Sequence, residues 1–116
     1  MADHEYGTLG SLDEEEVYAG VRRRTFNSHQ ATVNSYAFEP GGQFPIHRHP
    51  NEQITFVEEG SVNFTVRGET ATLEVGAWSV VAPNVEHGIT AGPDGARILA
   101  IVVPRRDRAD DYEVVK

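Results

Sequence analysis

Three of the five histidines in this 116-residue chain lie in two short segments whose spacing suits a metal site. His47 and His49 are two residues apart, and side chains two apart on an extended strand point to the same face. His87 lies in a second segment, which begins at Gly76. Imidazole nitrogens that converge from one side are common ligands of transition-metal ions in proteins. The sequence therefore predicts that these three histidines form one metal site.

The residues around the histidines favour short β-strands. Runs rich in β-branched and aromatic residues alternate with turns that contain glycine, proline or asparagine. We expect strands at 21–26, 31–38, 53–58, 61–67, 70–75, 78–82, 87–91 and 97–103. Strands this short and this regularly spaced are typical of a β-sandwich or a β-barrel, and no window shows a helical period.

The two histidine segments resemble the two signature motifs of the cupin family. The glycine, His-x-His and second glycine of the first motif fall on Gly41, His47, His49 and Gly60. Gln53 stands where that motif has a glutamate, and the glycine and histidine of the second motif fall on Gly76 and His87. The resemblance covers about residues 20 to 104. It implies an all-β fold, a single-domain cupin jelly roll also called a double-stranded β-helix barrel.

The resemblance also implies a ligand set of His47, His49, Gln53 and His87 around one divalent transition-metal ion per chain. Fe, Ni, Co, Cu, Zn and Mn all accept such ligands. A glutamine oxygen is neutral where a glutamate would be charged, so the ion would keep its full charge and act as a stronger Lewis acid. In the alternative interpretation, Gln53 does not ligate the ion and instead hydrogen-bonds a metal-bound water.

The segment from His47 to Gln53 is similar to a branch of small cupins with the pattern His-x-His-Pro-x-Glu-Gln. That branch includes a cupin that opens the ring of unsaturated uronates, and similar small cupins cyclise polyketides. The arginine that assists in the ring-opening cupin falls on Arg105, but its aspartate falls on Leu99, so the catalytic acid is missing here. The side chains that we expect to line the pocket are those of Tyr36, Phe38, Phe44, Thr55, Trp78 and Arg105.

The leading functional hypothesis is a metal-dependent enzyme that acts on a small, oxygen-rich or anionic molecule. The ion would polarise a carbonyl, enolate or carboxylate of the substrate during isomerisation, cyclisation or ring opening. An Fe(II)-dependent dioxygenase is an alternative with the same kind of site. A cupin that binds a ligand or a metal without turnover is a further alternative.

The composition limits the partners and the location. The formal net charge of −8 disfavours nucleic acid and anionic membranes as partners. The chain has no cysteine, so a metal must bind through nitrogen and oxygen. We found neither a bilayer-length apolar run nor a signal-peptide pattern, so we expect a cytoplasmic protein.

The ends of the chain are polar and the middle is apolar. We expect a flexible acidic arm over residues 1–16, the barrel over 17–104 and a charged tail over 105–116. The resemblance implies a homodimer. An exposed edge strand, such as residues 17–26, is satisfied when it pairs with a second chain.

Overall fold

The computed structural model describes residues 3–107 and 112–115 of the chain. This part is built almost entirely from antiparallel strands, which confirms the all-β expectation. After a short 3-10 turn at Leu9–Ser11, the strands are β1 (Glu14–Tyr18), β2 (Val21–Asn27), β3 (Thr32–Phe38), β4 (Gln43–Arg48), β5 (Glu52–Val66), β6 (Glu69–Glu74), β7 (Trp78–Val81), β8 (His87–Val103) and β9 (Glu113–Val114). In the described residues we find no helix with the length and hydropathy needed to cross a membrane.

Two long strands, β5 and β8, pair with each other along most of their length. The sequence predicted each of them as two separate strands. β5 instead continues through Gly60, whose φ of 70° lies in the left-handed region that favours glycine. A Cβ at Gly60 would lie 2.1 Å from the carbonyl oxygen of Gly95, so only glycine allows the two strands to bend together here.

The bends divide the strands between two half-sheets. One half-sheet has the strand order β1-β2-β3-β8-β5-β7 and uses the C-terminal part of β8 and the N-terminal part of β5. The other has the order β9-β4-β8-β5-β6 and uses the remaining parts of the same two strands. Their inner faces enclose the core of a jelly-roll barrel.

The interior is apolar at one end and polar at the other. Strand alternation turns every second side chain inward, and the apolar inward residues form one cluster, which includes Val57, Val62, Phe64, Ile89 and Ile98. Buried polar side chains gather at the other end. In register across three strands, Gln53 opposes Val102, which opposes Thr32, and Thr55 opposes Ala100, which opposes Asn34. Ala100 places only a small apolar side chain between the two polar residues beside it.

Both ends of the chain differ from the expected division. β1 begins at Glu14, so part of the predicted acidic arm belongs to the sheet, and β9 lies within the predicted tail. The expected edge strand over residues 17–26 is wrong, because β2 is paired on both sides, with β1 and with β3. The edge of this half-sheet is β1.

Candidate metal centre

The four residues expected to hold a metal lie together at the polar end of the barrel. His47 is in β4, His49 follows the end of β4, Gln53 is near the start of β5, and His87 begins β8. One ring nitrogen of each histidine lies within 4.8 Å of one from each of the other two, which confirms their predicted convergence. All four side chains are buried, with exposed fractions of 4% for His47, 3% for His49, 6% for Gln53 and 1% for His87.

Strand pairing and a tight turn produce this convergence. His47 and His87 are direct partners in the β4–β8 ladder, and their ring centroids are 4.2 Å apart. The chain leaves β4 after Arg48 and enters β5 at Glu52, so Gln53 returns beside His49. The ring centroid of His49 lies 5.5 Å from that of His47 and 5.0 Å from that of His87.

A backbone carbonyl fixes the tautomer of each imidazole. The Nδ1 atoms of His47, His49 and His87 lie 2.8, 3.1 and 2.8 Å from the carbonyl oxygens of Pro45, Asn51 and Val85, respectively. A carbonyl oxygen can only accept a hydrogen bond, so each Nδ1 must carry the proton. Each Nε2 therefore keeps its lone pair, which is the form in which histidine binds a metal.

Thr55 fixes the orientation of the Gln53 amide. The Nε2 group of Gln53 donates a hydrogen bond to Oγ1 of Thr55 at 3.0 Å, which turns Oε1 toward the histidines. Oε1 then lies 3.1 Å from Nε2 of His49 and 3.2 Å from Nε2 of His87. With the tautomers set by the backbone, no hydrogen lies between these atoms, and their lone pairs face one another. A cation stabilises such an arrangement, so this donor set fits a divalent transition-metal ion.

Burial keeps the three imidazoles neutral. The pKa of His47 is lowered to about 3, mainly by burial and to a smaller extent by the neighbouring His87. Burial likewise lowers the pKa of His87 to about 4, and it lowers the pKa of His49. The Nε2 nitrogens of the three histidines are therefore unprotonated at neutral pH, as metal binding would require.

Aromatic side chains surround the histidines on one side. Phe44 is buried, and its ring centroid lies 4.8 Å from that of His47 and 5.5 Å from that of Tyr36. Phe38 is also buried and lies 6.1 Å from Tyr36. Thr55 is fully buried beside Gln53. The structure thus places four of the expected pocket residues, Tyr36, Phe38, Phe44 and Thr55, in the barrel interior.

The sequence reasoning missed Tyr112. This residue precedes β9, and its ring centroid lies 4.8 Å from that of His47. Its hydroxyl shares a hydrogen bond of 2.7 Å with the hydroxyl of Tyr18. Burial raises the pKa of Tyr112 and that of Tyr36, so both phenols stay neutral. The only hint in the sequence was the apolar pair Val114-Val115, close to Tyr112 in a charged segment.

Two expected pocket residues lie elsewhere. Trp78 is 65% exposed on the outside of the barrel, which corrects the expectation that it points inward. Its register partner is Phe56, which alternates with the inward-facing Thr55 and therefore faces outward together with Trp78. The expectation that Arg105 lines the pocket is also wrong, because Arg105 donates a hydrogen bond to Asp107 at 2.8 Å on the surface.

The neighbouring Arg106 takes the place that was expected for Arg105. Its positive charge contributes to the lowered pKa values of His47 and His49, and its guanidinium lies 5.2 Å from the ring centroid of Tyr112. Its Nε atom is buried and has no hydrogen-bond partner among the described residues. No aspartate or glutamate joins the histidine cluster in the described ranges. The charge beside the histidines is therefore positive.

The fold is a single-domain antiparallel β-barrel, and three buried imidazoles and one amide lie at one end of it. These two features define the class of protein, namely a jelly roll with a small polar site in its interior. The cupin-domain family model matches residues 34–102, which span β3 to β8. The chain belongs to the cupin family.

Comparison with known proteins shows one similar sequence and two similar structures. The chain is 32% identical over 89 residues to the dimethylsulfoniopropionate lyase DddW of Ruegeria pomeroyi, a match that covers 72% of this chain and 59% of that protein. The structure superposes on KdgF from Halomonas sp. with a TM-score of 0.83 and 23% identity, covering 90% of this chain and 96% of that one. It superposes on the polyketide cyclase RemF from Streptomyces resistomycificus with a TM-score of 0.82 and 19% identity, covering 97% and 86%. The two structural similarities support the fold.

Proposed function

We propose that this cupin is a metal-dependent enzyme that acts on a small, oxygen-rich or anionic molecule. His47, His49, Gln53 and His87 hold one divalent ion of Fe, Ni, Co, Cu, Zn or Mn. The observation that carries the proposal is the convergence of unprotonated Nε2 atoms and the Gln53 oxygen in a buried site. A metal bound there supplies Lewis acidity toward a carbonyl, enolate or carboxylate oxygen, which suits isomerisation, cyclisation or ring opening.

The surrounding residues would bind and orient the substrate. Arg106 offers an anionic group a positive charge and a buried Nε donor that has no partner in the described part of the chain, and we assign it the role expected of Arg105. The neutral hydroxyl of Tyr36 would donate a hydrogen bond, and Phe44 would exclude water from the ligands. Because no carboxylate joins the cluster among residues 3–107 and 112–115, we expect proton transfers in this site to rely on hydroxyl groups or water.

Metal analysis and turnover together test this proposal. We expect the purified protein to bind close to one equivalent of a transition metal and His49→Ala to lose it while keeping its thermal transition. Metal-loaded protein should then convert members of a panel of small keto and enol carboxylates, and Arg106→Gln should raise KM for anionic substrates more than Arg105→Gln does. Protein that binds no transition metal would contradict the proposal. Oxygen consumption with Fe(II) would favour the dioxygenase alternative, and a loaded site without turnover would favour the binding protein.

A lyase acting on dimethylsulfoniopropionate is a second candidate. The 32% identity to a protein of that name favours it, although the chain spans 59% of that protein's length. The substrate has a carboxylate that Arg106 and the metal could bind. Elimination would remove the proton next to the carboxylate, break the C–S bond and release acrylate and dimethyl sulfide. Gas chromatography of dimethyl sulfide above the metal-loaded protein tests this candidate, and no release above that from His49→Ala would exclude it.

We also propose that the protein is a homodimer. The outward side of the half-sheet that contains β7 is apolar over three paired strands, and its members are Ile54, Phe56, Trp78, Val80, Leu99, Ile101 and Val103. We call this surface the outer apolar face. Trp78, Val80 and Phe56 are 65%, 53% and 41% exposed.

Such a large exposed apolar surface marks an interaction site. A second copy is the partner that best fits, because a chain with a net charge of −8 repels its own copies unless they meet through an uncharged surface. Burial of this face, rather than pairing of an edge strand, would then hold the dimer together.

A further inference from the structure

The last described segment of the chain returns to the metal centre. β9 pairs antiparallel with β4, with Val114 opposite His47 and Glu113 opposite Arg48. The backbone N–H of Val115 donates to the carbonyl oxygen of Ile46 at 2.9 Å. Residues 112–115, which we call the C-terminal strap, therefore lie alongside the strand that carries His47.

Tyr112 is the part of the strap that reaches the site. Its ring packs against His47 at 4.8 Å and against Phe44 at 6.1 Å, and Arg106 lies over the same ring. Its hydroxyl is bonded to that of Tyr18 in β1. The ring thus closes the space between β1 and β4, next to a histidine that is only 4% exposed.

The strap is weakly attached compared with the rest of the barrel. β9 pairs with β4 at two positions, whereas β5 and β8 pair along most of their length. The ion pair that fixes the strap, between Arg48 and Glu113 at 2.7 Å, is exposed on both sides. Exposed ion pairs contribute little, and a two-residue strand is marginal alone. Such an element can detach locally while the barrel stays folded.

We propose that the C-terminal strap is a detachable cover of the three-histidine site and that Tyr112 is the side chain that closes it. The histidines are 1–4% exposed, so an ion or a substrate that enters from this side reaches them when the strap lifts. The strap then limits which molecules enter and how fast they leave. This inference rests on only one part of the proposed function, namely that the three histidines form the functional site.

Chemical labelling of the metal-free, full-length protein tests the cover directly. Diethyl pyrocarbonate modifies accessible imidazoles, and peptide mass spectrometry gives a rate for each histidine. We expect Tyr112→Ala and Glu113→Ala to raise the rate at His47 by about fivefold or more, because both weaken the closed state. The exposed His29 is the internal standard and should react equally in every variant.

Glu86→Ala is the matched control variant. Glu86 is the other acidic partner of Arg48, at 3.6 Å, and does not belong to the strap. Its removal should leave the labelling rate of His47 within about twofold of the original protein. Labelling that is unchanged in Tyr112→Ala, or raised equally in Glu86→Ala, would overturn the proposal.

Hydrogen exchange separates local opening from a loosened barrel. In Tyr112→Ala, amides of residues 112–115 and of β4 should exchange faster, while those of β5 keep their rates. Faster exchange throughout β5 would mean that the substitution loosens the whole fold, and the cover would be rejected. Neither readout depends on a bound metal, so a failure here is distinguishable from a failure of the proposed function.

Discussion

Acid should destabilise the metal-free protein through its buried imidazoles. In an unfolded chain the histidine pKa is about 6.5, whereas burial lowers the pKa of His47 to about 3 and that of His87 to about 4. The folded state therefore prefers the neutral form. The contribution of these imidazoles to the free energy of unfolding is fully present above the histidine pKa of the unfolded chain. It is lost as the pH falls from 6.5 toward 3.

The size of the effect follows from these values. At pH 5 the imidazoles of the unfolded chain are almost fully protonated, while those of His47 and His87 in the folded protein are almost fully neutral. The shift from pH 7 to pH 5 then costs about 2 kcal/mol for each histidine, or about 4 kcal/mol together. A domain of this size has a total stability of about 5–15 kcal/mol, so the loss is large.

Urea denaturation at pH 7 and at pH 5, followed by circular dichroism after metal removal, measures this loss. His87→Gln should reduce the difference between the two pH values by about 2 kcal/mol, because one titrating group is gone. His29→Gln is the control at an exposed position and should change nothing. The same carboxylates are present in all three proteins, so their contributions cancel in the comparison. If the original protein and His87→Gln lost the same free energy of unfolding between pH 7 and pH 5, the reasoning would be refuted.

Three further predictions concern the ligands and the outer face. Thr55→Val leaves the Gln53 amide free to turn and should weaken Co2+ binding by about tenfold in competition with a chelator, whereas Thr65→Val on the same strand should not. Gln53→Glu supplies a negative ligand and should tighten Co2+ binding in the same assay; weaker binding would argue against ligation at this position. Trp78→Glu should convert the proposed dimer to a monomer in sedimentation experiments, while Val75→Glu, at a similarly exposed valine outside the outer apolar face, should remain dimeric.

Local spacing was enough to predict much of the site. His47 and His49 are separated by one residue in an extended segment that follows the turn at Gly41, so their convergence follows from strand geometry. Alternation also places Thr55 beside Gln53, and the structure shows their side chains hydrogen-bonded. These inferences succeeded because they depend on neighbours in the sequence.

The remaining features depend on contacts between distant segments. The face on which Trp78 lies is set by its register with Phe56, and a shift of one residue would have turned it inward. The position of Arg106 near the histidines follows from the direction in which the chain leaves β8, where its backbone N–H bonds Thr32 at 2.9 Å. The return of Tyr112 to β4 needs a pairing of only two positions, which is too short to give a signal in the sequence.

The charges around the site lead to a last prediction, namely that metal and anion bind cooperatively. Three imidazoles and one amide contribute no charge, and Arg106 adds a positive charge nearby. With the groups that the structure describes, a divalent ion would therefore remain uncompensated in a buried site, where charges interact more strongly than in water. A small carboxylate such as oxalate should compensate it, so Co2+ affinity should rise with oxalate concentration after correction for complexes in solution.

The same measurement separates the contribution of the arginine from that of the ion. Arg106→Gln should reduce the gain from oxalate, because the anion loses one of its two positive partners, and sodium chloride at equal ionic strength should not reproduce the gain. By linkage, the metal must raise the affinity for oxalate by the same factor. An affinity for Co2+ that is independent of oxalate would show that the protein compensates the ion by itself, and the case for an anionic substrate would then lose its physical basis.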